Sequence, residues 1–436
     1  MSKKIIILGA GFGGLAAALE FDKILKSRTD LEVTLIDREN HFLFTPMLHE
    51  VAAGELEPTS IVSPIRKMLK RVKFYSCDAT RIDLVKRQVV VCHGYHYHGH
   101  DLAYDHLLLG LGSTTSFFGL PGVESQALTM KSLADAVRLR NRMISNLEEA
   151  ESECSTVDKE PLLTFVVAGG GFAGVETMAG MRDFIHAALP HFPSLSWDQI
   201  RLVLVHPGKT ILPELGVELG TYAQQKLSAR GVEIRSESKV TAFEKGEICL
   251  TDDTRIRSHT LVWTAGTTAH PLLGDLPLPK ERGRVLVDET FAVAGHPSIW
   301  ALGDCAAIPN PEAGGFHPPT AQHASRQGVR AAGNILASID GQKPSPFRFK
   351  TLGLLASLGH RAGVAQVMGF KFSGIFAWLL WRGIYWMKLP RVEKKLRVLF
   401  QWVFNEFFSQ DFVQYRLGDG RTDQPEIEPP IKVKCD

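Results

Sequence analysis

The chain contains two glycine-rich turns, each lying between a β-branched run and a helical pattern. The first follows residues 5–8 and reads GAGFGG, and the second follows residues 164–167 and reads GGGFAG. In such a strand–turn–helix unit the first glycine permits the tight turn and the second lets the backbone approach a pyrophosphate, while the third lets helix and strand pack closely. The helix N-terminus faces the negative charge of the ligand. We therefore predict two dinucleotide-binding turns, the first cradle with Gly9, Gly11 and Gly14 and the second cradle with Gly169, Gly171 and Gly174.

The strand that follows each cradle differs in its last residue. EVTLID ends at Asp37, whose carboxylate can accept hydrogen bonds from ribose hydroxyls, whereas RLVLVHPG carries His206 at the corresponding place. Without a carboxylate the usual rejection of a 2′-phosphate is absent, and His206 with Lys209 could accommodate one. The choice between NADH and NADPH therefore stays open. The alternative is that His206 is an exposed loop residue beside a tolerant pocket.

Two dinucleotide cradles in one chain suggest two dinucleotides that exchange electrons. A hydride passes directly between them only if one is a flavin and the other a nicotinamide. The stretch HPSIWALGDCAAI is a strand that ends in Gly303 and Asp304, a carboxylate that could hold the ribityl chain of FAD. The segment TLVWTAGTTA runs from a strand into a small-residue turn at Gly266, as expected where the chain crosses between domains near a cofactor.

Charge, cysteines and histidines exclude several other classes of site. A net charge of +2 in 436 residues gives no overall attraction to nucleic acid, so no such partner is predicted. The six cysteines include no close pair, which predicts free thiols and argues against a dithiol redox centre. Cys305 is expected to be a small buried residue. His96, His98 and His100 share one strand face, but no acidic or cysteine cluster accompanies them, and no metal site is predicted.

The C-terminal region combines apolar, aromatic and basic residues. Its longest uncharged run has ten residues, from Phe372 to Trp381, far short of the ~20 that a helix needs to span a bilayer. From Lys371 to Arg397 there are seven basic residues against Glu393 alone. Apolar residues then recur at helical spacing, and four tryptophans suit the level of lipid headgroups. We predict an amphipathic segment lying on a membrane surface; a dimer interface or packing on the protein's own core are the alternatives. The apolar positions are Val392, Leu396, Leu399, Phe400, Val403 and Phe407.

The chain resembles one protein family in a series of motifs that occur in a fixed order. These motifs are GAGFGG with Asp37, FLFTPMLHEVAAGELEP, GGGFAGVE, WTAG, ALGDCA and PPTAQHASRQG. The family is the type II NADH dehydrogenases, single-chain and non-pumping NADH:quinone oxidoreductases among the two-dinucleotide-binding-domain flavoproteins. The resemblance runs from residue 3 to about residue 410. It implies non-covalent FAD on the first cradle and NADH or NADPH on the second. It also implies that Thr45 and Pro46 flank the isoalloxazine, that Asp304 holds the ribityl chain and that Glu176 lies near the nicotinamide.

The quinone site of that family is marked by an Ala-Gln pair with a second glutamine four residues later. Here Ala321 and Gln322 match the pair, but Arg326 stands at the fourth position and Gln327 follows it. The resemblance implies that Gln322 hydrogen-bonds a quinone carbonyl, while the change at Arg326 leaves the quinone type and the headgroup contacts open. Alternatively, Gln322 caps the floor of the flavin pocket.

Together these patterns predict an α/β fold with two Rossmann-like domains and an amphipathic α-helical C-terminal segment. The expected boundaries are 1–117 and 285–345 for a split FAD domain, 118–284 for the NAD(P)H domain and 346–436 for the membrane-associating region. The expected activity is hydride transfer from NAD(P)H to flavin and two-electron reduction of a quinone, with Glu176 and Gln322 as catalytic residues. The expected location is the cytoplasmic face of the inner membrane, with a homodimer possible. The alternatives are a soluble ferredoxin-reductase-like enzyme with a dimerising tail, or a flavoprotein that docks a protein partner.

Overall fold

The structure, a computed structural model, describes residues 2–93, 98–408 and 410–415 of the chain. It forms two compact units, each assembled from three separate stretches. The first unit comprises Met1–Leu43, Val62–Ser116 and Thr267–Leu352. The second comprises Phe44–Ile61, Phe117–Gly266 and Gly353–Asp436.

A six-stranded sheet forms the centre of the first unit. All neighbouring strands in it are parallel except the first pair, which is antiparallel. The strand after the first cradle and the strand before it lie side by side, because the helix between them returns the chain across one face of the sheet. In spatial order the strands are Ala292–Val293, His296–Ala301, His106–Leu109, Lys3–Leu8, Leu31–Asp37 and Lys73–Ser76.

Two helices and four small sheets complete the first unit. The helices Phe12–Ile24 and Ala321–Ile339 pack against each other so closely that a Cβ on Gly328 would overlap the carbonyl oxygen of Gly13. The small sheets consist of His41–Leu43 with Val62–Pro64; Asp78–Asp83, Gln88–His93 and His98–Ala103; Ser113–Thr115 with Thr267–Ala269; and Lys280–Glu281, Arg284–Leu286 and Ala306–Ala307.

A five-stranded parallel sheet forms the centre of the second unit. Its strand before the second cradle is buried at every residue, which explains its run of Thr, Phe, Val and Ala without alternation. In spatial order the strands are Leu128–Thr129, Thr260–Trp263, Thr164–Ala168, Arg201–Val205 and Val232–Arg235.

The remaining elements of the second unit are two three-stranded antiparallel sheets and eight described helices. The sheets consist of Val240–Glu244, Glu247–Leu250 and Arg255–Arg257, and of Gly353–Ser357, Gly363–Val367 and Phe370–Ser373. The helices are Leu48–Ala52, Val123–Gln126, Leu133–Ser152, Thr156–Leu163, Phe172–Ala188, Gly216–Ser228, Gly374–Lys388 and Val392–Phe404.

The division into units differs from the predicted domain boundaries at three places. The chain returns to the first unit at Thr267 rather than at residue 285, because Thr267–Ala269 pairs with Ser113–Thr115. Residues 44–61 belong to the second unit, since the helix Leu48–Ala52 packs on two of its helices. From Gly353 onward the C-terminal region is also part of the second unit rather than a separate region.

The cysteines agree with the prediction of free thiols at four positions and disagree at one. Cys77, Cys92, Cys249 and Cys305 are free thiols. Cys154 is disulfide-bonded, so the prediction is wrong for this residue. Cys435 lies outside the described residues.

Candidate functional site

The first cradle has the backbone geometry that a bound pyrophosphate requires. Gly9 has φ +95°, a conformation that disfavours any residue with a Cβ, and a Cβ on Gly14 would overlap the carbonyl oxygen of Gly9. A Cβ on Gly11, in contrast, would point into open space. The turn therefore packs tightly on its own helix and leaves one side open, which fits a dinucleotide phosphate at the helix N-terminus.

Asp37 lies at the end of the strand next to the first cradle and is held by backbone donors. Its Oδ2 accepts a hydrogen bond from the Ala10 N–H (2.5 Å), and its Oδ1 accepts one from the Glu39 N–H (2.8 Å). Burial raises the pKa of this carboxyl, and the two backbone bonds oppose that effect. The arrangement orients a carboxylate whose remaining lone pairs suit ribose hydroxyls.

Asp304 lies in a tight turn of the same unit. Its Oδ2 accepts a hydrogen bond from the Ser113 hydroxyl (3.0 Å), which fixes the carboxylate beside the start of a strand. Gly303 has φ +70°, and its N–H donates to Oε1 of Gln327 (3.0 Å), so the buried Gln327 supports this turn. The contact favours a role for Gln327 in shaping the Asp304 turn over the predicted contact with a quinone.

Cys305 follows Asp304 and is fully buried, as expected. Its thiol donates to the carbonyl oxygens of Leu302 (3.2 Å) and Leu109 (3.4 Å). Burial raises the pKa of the Cys305 thiol to about 11, so the sulfur is protonated at neutral pH and unsuited to thiol–disulfide exchange.

The second cradle repeats the geometry of the first. Gly169 has φ +118°, a Cβ on Gly174 would overlap the Gly169 carbonyl oxygen, and a Cβ on Gly171 would meet nothing within 4 Å. The Thr264 hydroxyl donates to the Ala168 carbonyl oxygen (2.8 Å), which brings the turn that contains Gly266 against this cradle. The second unit can therefore hold a second dinucleotide, as predicted.

His206 is buried, so its alternative interpretation as an exposed loop residue is wrong. Its Nδ1 accepts a hydrogen bond from the Gly170 N–H of the second cradle (3.2 Å). Burial lowers the pKa of His206, and a hydrogen bond with the Thr210 backbone opposes that effect. The imidazole is therefore neutral at pH 7.

Glu176 lies in the first turns of the helix after the second cradle and is buried. Its Oε1 accepts hydrogen bonds from the Trp381 indole N–H (2.9 Å) and the Ser357 backbone N–H (3.0 Å), and its Oε2 lies 3.7 Å from Nδ1 of His49. Burial raises the pKa of Glu176 to about 8, although both hydrogen bonds lower it. Burial also lowers the pKa of His49 to about 3. A protonated carboxyl therefore lies beside a neutral imidazole.

Two further carboxyls lie in the same unit, the buried Glu50 and the partly buried Glu55. Glu50 accepts a hydrogen bond from the Trp402 indole N–H (3.2 Å), and Glu55 pairs with the Arg382 guanidinium (3.3 Å). The Arg382 guanidinium carbon lies 4.0 Å from the ring centre of Trp378 and 4.7 Å from that of Trp402. Burial raises the pKa of both carboxyls, and their mutual repulsion raises that of Glu50 further. Together with Glu176 these residues form a cluster, here called the buried carboxyl cluster, of three acids and one arginine.

Sequence reasoning missed this cluster except for Glu176. His49, Glu50 and Glu55 all lie in the FLFTPMLHEVAAGELEP motif, from which only Thr45 and Pro46 had been selected. A signal was present, since a histidine and one acid, His49 and Glu50, interrupt an otherwise apolar stretch that is buried from Met47 to Ala53. Thr45 and Pro46 begin a 3₁₀ turn, Thr45–Met47, in which Thr45 is exposed.

Gln322 and Arg326 lie one turn apart on the helix Ala321–Ile339. The Gln322 Oε1 accepts a hydrogen bond from the Leu352 N–H (3.4 Å), and Arg326 donates to the Gln322 carbonyl oxygen (2.9 Å). The exposed Arg326 stacks its guanidinium 4.2 Å from the ring centre of Phe349. The arginine that replaces the second glutamine is thus held locally by an aromatic ring and a carbonyl.

The last helix, Val392–Phe404, turns its polar side toward the second unit. Lys394 is buried and donates to the Thr59 carbonyl oxygen (2.6 Å), Gln401 accepts from the Ser60 hydroxyl (2.7 Å), and Asn405 donates to the Glu55 carbonyl oxygen (2.8 Å). The predicted apolar stripe points outward instead. Its six residues, here called the apolar face, are all exposed: Val392, Leu396, Leu399, Phe400, Val403 and Phe407.

Three of the four tryptophans of this region are buried, which does not fit a position among lipid headgroups. Trp378, Trp381 and Trp402 are buried, and Trp386 donates its indole N–H to the Lys395 carbonyl oxygen (2.8 Å). The indole N–H groups of Trp381 and Trp402 donate to the buried acids Glu176 and Glu50, because a buried indole needs an acceptor. The exposed aromatic residues of the tail are phenylalanines.

Neither a metal cluster nor a membrane-spanning helix is found in the described part of the chain. No group of three or more His, Cys, Asp or Glu residues among the described residues is arranged to hold a metal ion. His98 and His100 are exposed on their strand, and His96 lies outside the described residues. No described helix has the length and apolar character to cross a bilayer.

Comparison with known proteins assigns the chain to a family. Residues 3–328 match the family described as pyridine nucleotide-disulphide oxidoreductase, and residues 352–411 match the NDH2 C-terminal domain. A probable NADH dehydrogenase of Dictyostelium discoideum is 32% identical over 95% of this chain and 92% of its own length. The type II NADH:quinone oxidoreductase Ndh of Mycobacterium tuberculosis is also 32% identical, over 92% of this chain and 87% of its own.

Solved structures with this fold include NDH2 from Plasmodium falciparum in complex with NADH. It has a TM-score of 0.88 at 20% identity and covers 95% of this chain and 100% of that one. The fold and the two cradles define a pyridine-nucleotide-dependent flavoprotein oxidoreductase. The chain belongs to the type II NADH:quinone oxidoreductases within that class. The predicted family, α/β fold, enzyme class and use of FAD and NADH are thereby confirmed.

Proposed function

We propose that this chain oxidises NADH and reduces a quinone at a membrane surface. The observation that carries the proposal is the presence of two complete dinucleotide cradles in one chain, without a thiol pair among the described residues. FAD, when bound, accepts a hydride from the nicotinamide and passes two electrons on to the quinone. The overall reaction is NADH + H⁺ + quinone → NAD⁺ + quinol, so one proton must be taken from the surroundings.

The residues proposed to hold the two nucleotides are those selected from the sequence. Their backbone and carboxylate geometry supports the assignment at the cradles, at Asp37 and at Asp304. Thr45, Pro46 and Gly266 rest on the family resemblance. The proposed FAD residues are Gly9, Gly11, Gly14, Asp37, Thr45, Pro46, Gly303 and Asp304, and the proposed nicotinamide residues are Gly169, Gly171, Gly174, Glu176, His206 and Gly266.

Glu176 is proposed to hold the proton that the overall reaction consumes. With a pKa of about 8 the carboxyl is protonated at pH 7, and the Trp381 and Ser357 donors fix its orientation. A carboxyl that is neutral at the operating pH, yet within one unit of ionising, can both give and recover a proton. The buried position keeps bulk water from taking that proton directly.

Gln322 is proposed to hydrogen-bond a quinone carbonyl. The bond from the Leu352 N–H to its Oε1 fixes the orientation of the amide group on the helix Ala321–Ile339. Arg326 is proposed to act at the edge of the same site. Gln327, predicted for the same site, is proposed to act indirectly, through the Asp304 turn.

The apolar face supports attachment to a membrane surface. The polar side of this helix packs on the protein, and the six residues of the apolar face are left exposed by the part of the chain that the structure describes. Nearby, Lys395 and Arg397 can attract anionic lipid, at about 1 kcal/mol each near the surface. Four of the seven basic residues between Lys371 and Arg397 make other contacts. Lys371, Arg382 and Arg391 pair with acids, and Lys394 is buried. Apolar contact therefore outweighs charge in this proposal.

Attachment to a membrane makes chemical sense because a prenylated quinone is dissolved in lipid. The cytoplasmic face of the inner membrane is the proposed location. The apolar face would also suit a homodimer interface. The other alternative, that the stripe packs on the protein's own core, is wrong for these six residues because they are exposed. A soluble ferredoxin reductase shares the fold, with a TM-score of 0.66 at 19% identity for the enzyme from Rhodopseudomonas palustris. The match of residues 352–411 to the NDH2 C-terminal domain favours the quinone reductase.

Anaerobic stopped-flow spectroscopy tests the proposed reaction. NADH should bleach the flavin, and a short-chain quinone should then restore its absorbance rapidly. Gln322→Ala should slow the quinone step by about tenfold, the cost of one hydrogen bond, and leave bleaching by NADH unchanged. Slow recovery with quinone but fast recovery with a ferredoxin-type carrier would reject the proposal.

A further inference from the structure

The two cradles are held by different side chains at equivalent places. In the first, the N–H of the second turn residue, Ala10, donates to the Asp37 carboxylate (2.5 Å). In the second, the N–H of the second turn residue, Gly170, donates to Nδ1 of His206 (3.2 Å). Asp37 ends the strand Leu31–Asp37, and His206 directly follows the strand Arg201–Val205. The uncharged His206 ring therefore accepts the backbone hydrogen bond that the Asp37 carboxylate accepts in the first cradle.

The His206 ring is fitted closely into its place. A Cβ on Gly170 would come 2.6 Å from the ring, and one on Gly208 would come 2.7 Å from Nε2, so both neighbours must be glycine. Because Nδ1 accepts a hydrogen bond, the ring proton lies on Nε2. The other ring hydrogen bond is made with the Thr210 backbone, so the ring offers a ribose neither the charge nor the acceptor oxygens that Asp37 offers.

This replacement changes how a ribose can be recognised. A carboxylate at this position accepts hydrogen bonds from the 2′-hydroxyl and repels a 2′-phosphate. A neutral imidazole with its acceptor nitrogen already occupied does neither. The cradle has thus lost the group by which such sites usually exclude NADPH.

Charged groups of both signs lie around His206. Lys209 is exposed, forms no ion pair within the described residues, and lies three positions further along the same loop. Arg235 and Arg201 both pair with Glu233. Glu214 is close enough to raise the pKa of His206, and Glu237 joins the loop through its backbone N–H, which donates to Gly208. Glu214 is therefore the acid that most opposes a phosphate here.

We infer that His206 opens the second cradle to 2′-phosphorylated nucleotides, so that this chain uses NADPH as well as NADH. The inference rests on the proposed function, because it assigns the nicotinamide nucleotide to the second cradle. The chemical class of the substrate is a dinucleotide whose adenosine ribose carries either a hydroxyl or a phosphate at the 2′ position.

Binding of nucleotide fragments tests the inference without catalysis. Calorimetry on the FAD-loaded full chain would compare adenosine 2′,5′-bisphosphate with 5′-AMP. Wild type should bind the bisphosphate at least as tightly as 5′-AMP. His206→Asp places at the second cradle the carboxylate that Asp37 provides at the first. It should lower the affinity for the bisphosphate by about tenfold or more relative to 5′-AMP, because the new negative charge repels the 2′-phosphate.

Two matched variants separate charge from folding. His206→Asn keeps an acceptor for the Gly170 N–H without a charge, and it should retain the wild-type ratio. Lys209→Ala, at an exposed position, should lower the affinity for the bisphosphate and leave the affinity for 5′-AMP unchanged. A wild-type preference for 5′-AMP of about a hundredfold or more, the size of discrimination that a dedicated polar contact gives, would overturn the inference. So would unchanged fragment ratios in both His206→Asp and Lys209→Ala.

Flavin bleaching distinguishes failure of this inference from failure of the proposed function. If NADH bleaches the flavin and NADPH does not, only the inference fails. If neither nucleotide bleaches it, the proposed function fails.

Discussion

An ionised carboxylate in an apolar site is costly. Glu176 shows this cost because none of the described residues places a cation within hydrogen-bonding distance of it. Its pKa of about 8 compares with an ordinary value of 4.5, so the folded protein keeps a proton that the unfolded chain releases. Below the pKa of the unfolded chain the raised pKa of Glu176 does not reduce the free energy of unfolding. As the pH rises from there toward 8, that free energy falls, because the unfolded chain releases the proton and the folded protein keeps it. The loss amounts to about 1.4 kcal/mol per pH unit for one proton.

We therefore expect Glu176→Gln to flatten this pH dependence. Glutamine can accept both hydrogen bonds from Trp381 and Ser357 through its amide oxygen, and it carries no proton to lose. The free energy of unfolding is measured in urea for wild type and variant at pH 5.5 and at pH 8. Between these two pH values the variant should become more stable relative to wild type by about 2–3 kcal/mol. A difference that stays constant across this range would mean that Glu176 is already ionised in the folded protein.

At the scale of elements, the glycine turns could be predicted from sequence, whereas the orientation of the last helix could not. A glycine turn is a local requirement: Gly9 and Gly169 adopt positive φ wherever such a turn occurs. The helix Val392–Phe404 was recognised as amphipathic, but periodicity alone does not say which side faces the protein. Its polar side faces inward because Lys394, Gln401 and Asn405 find acceptors or donors in residues 55–60. Those partners are more than 300 positions away in the chain.

The outward apolar face predicts that charges placed on it abolish membrane attachment. Leu396→Glu with Phe400→Glu should remove flotation with anionic liposomes, because two exposed apolar side chains are replaced by carboxylates that anionic lipid repels. Each lost apolar contact is worth about 1.5–3 kcal/mol. Val85→Glu is the matched control: Val85 is 94% exposed, lies in the first unit, and should leave flotation unchanged. If the double variant still floats but changes from dimer to monomer in light scattering, the apolar face is a subunit interface instead.

At the scale of the whole chain, the C-terminal region had been predicted as a separate segment, yet it completes the second unit. Trp381, Trp402 and Arg382 come from this region and supply the partners of Glu176, Glu50 and Glu55. Local patterns could not reveal this, because each pair joins residues more than 200 positions apart. Gln327 shows the same limit: it resembles a quinone ligand in sequence, but its amide supports the Gly303 backbone. Family motifs identify chemistry, while the division of the chain into units depends on tertiary contacts.

Removing residues 353–436 should therefore destabilise the protein rather than release an intact soluble enzyme. The deletion removes the buried side chains of Trp378, Trp381, Val398 and Trp402, each worth about 1.5–3 kcal/mol, and leaves three acids without their donors. We expect the thermal midpoint of the holoprotein to fall by at least about 10 °C, at about 2–4 °C per kcal/mol for units of this size. Limited proteolysis should cut the remaining part of the second unit first. The double variant of the apolar face serves as the control, because it alters only exposed positions and should unfold at the wild-type temperature. A truncated chain that unfolds at that same temperature would show that the tail is a separable anchor, and the buried carboxyl cluster would then need partners other than the tail.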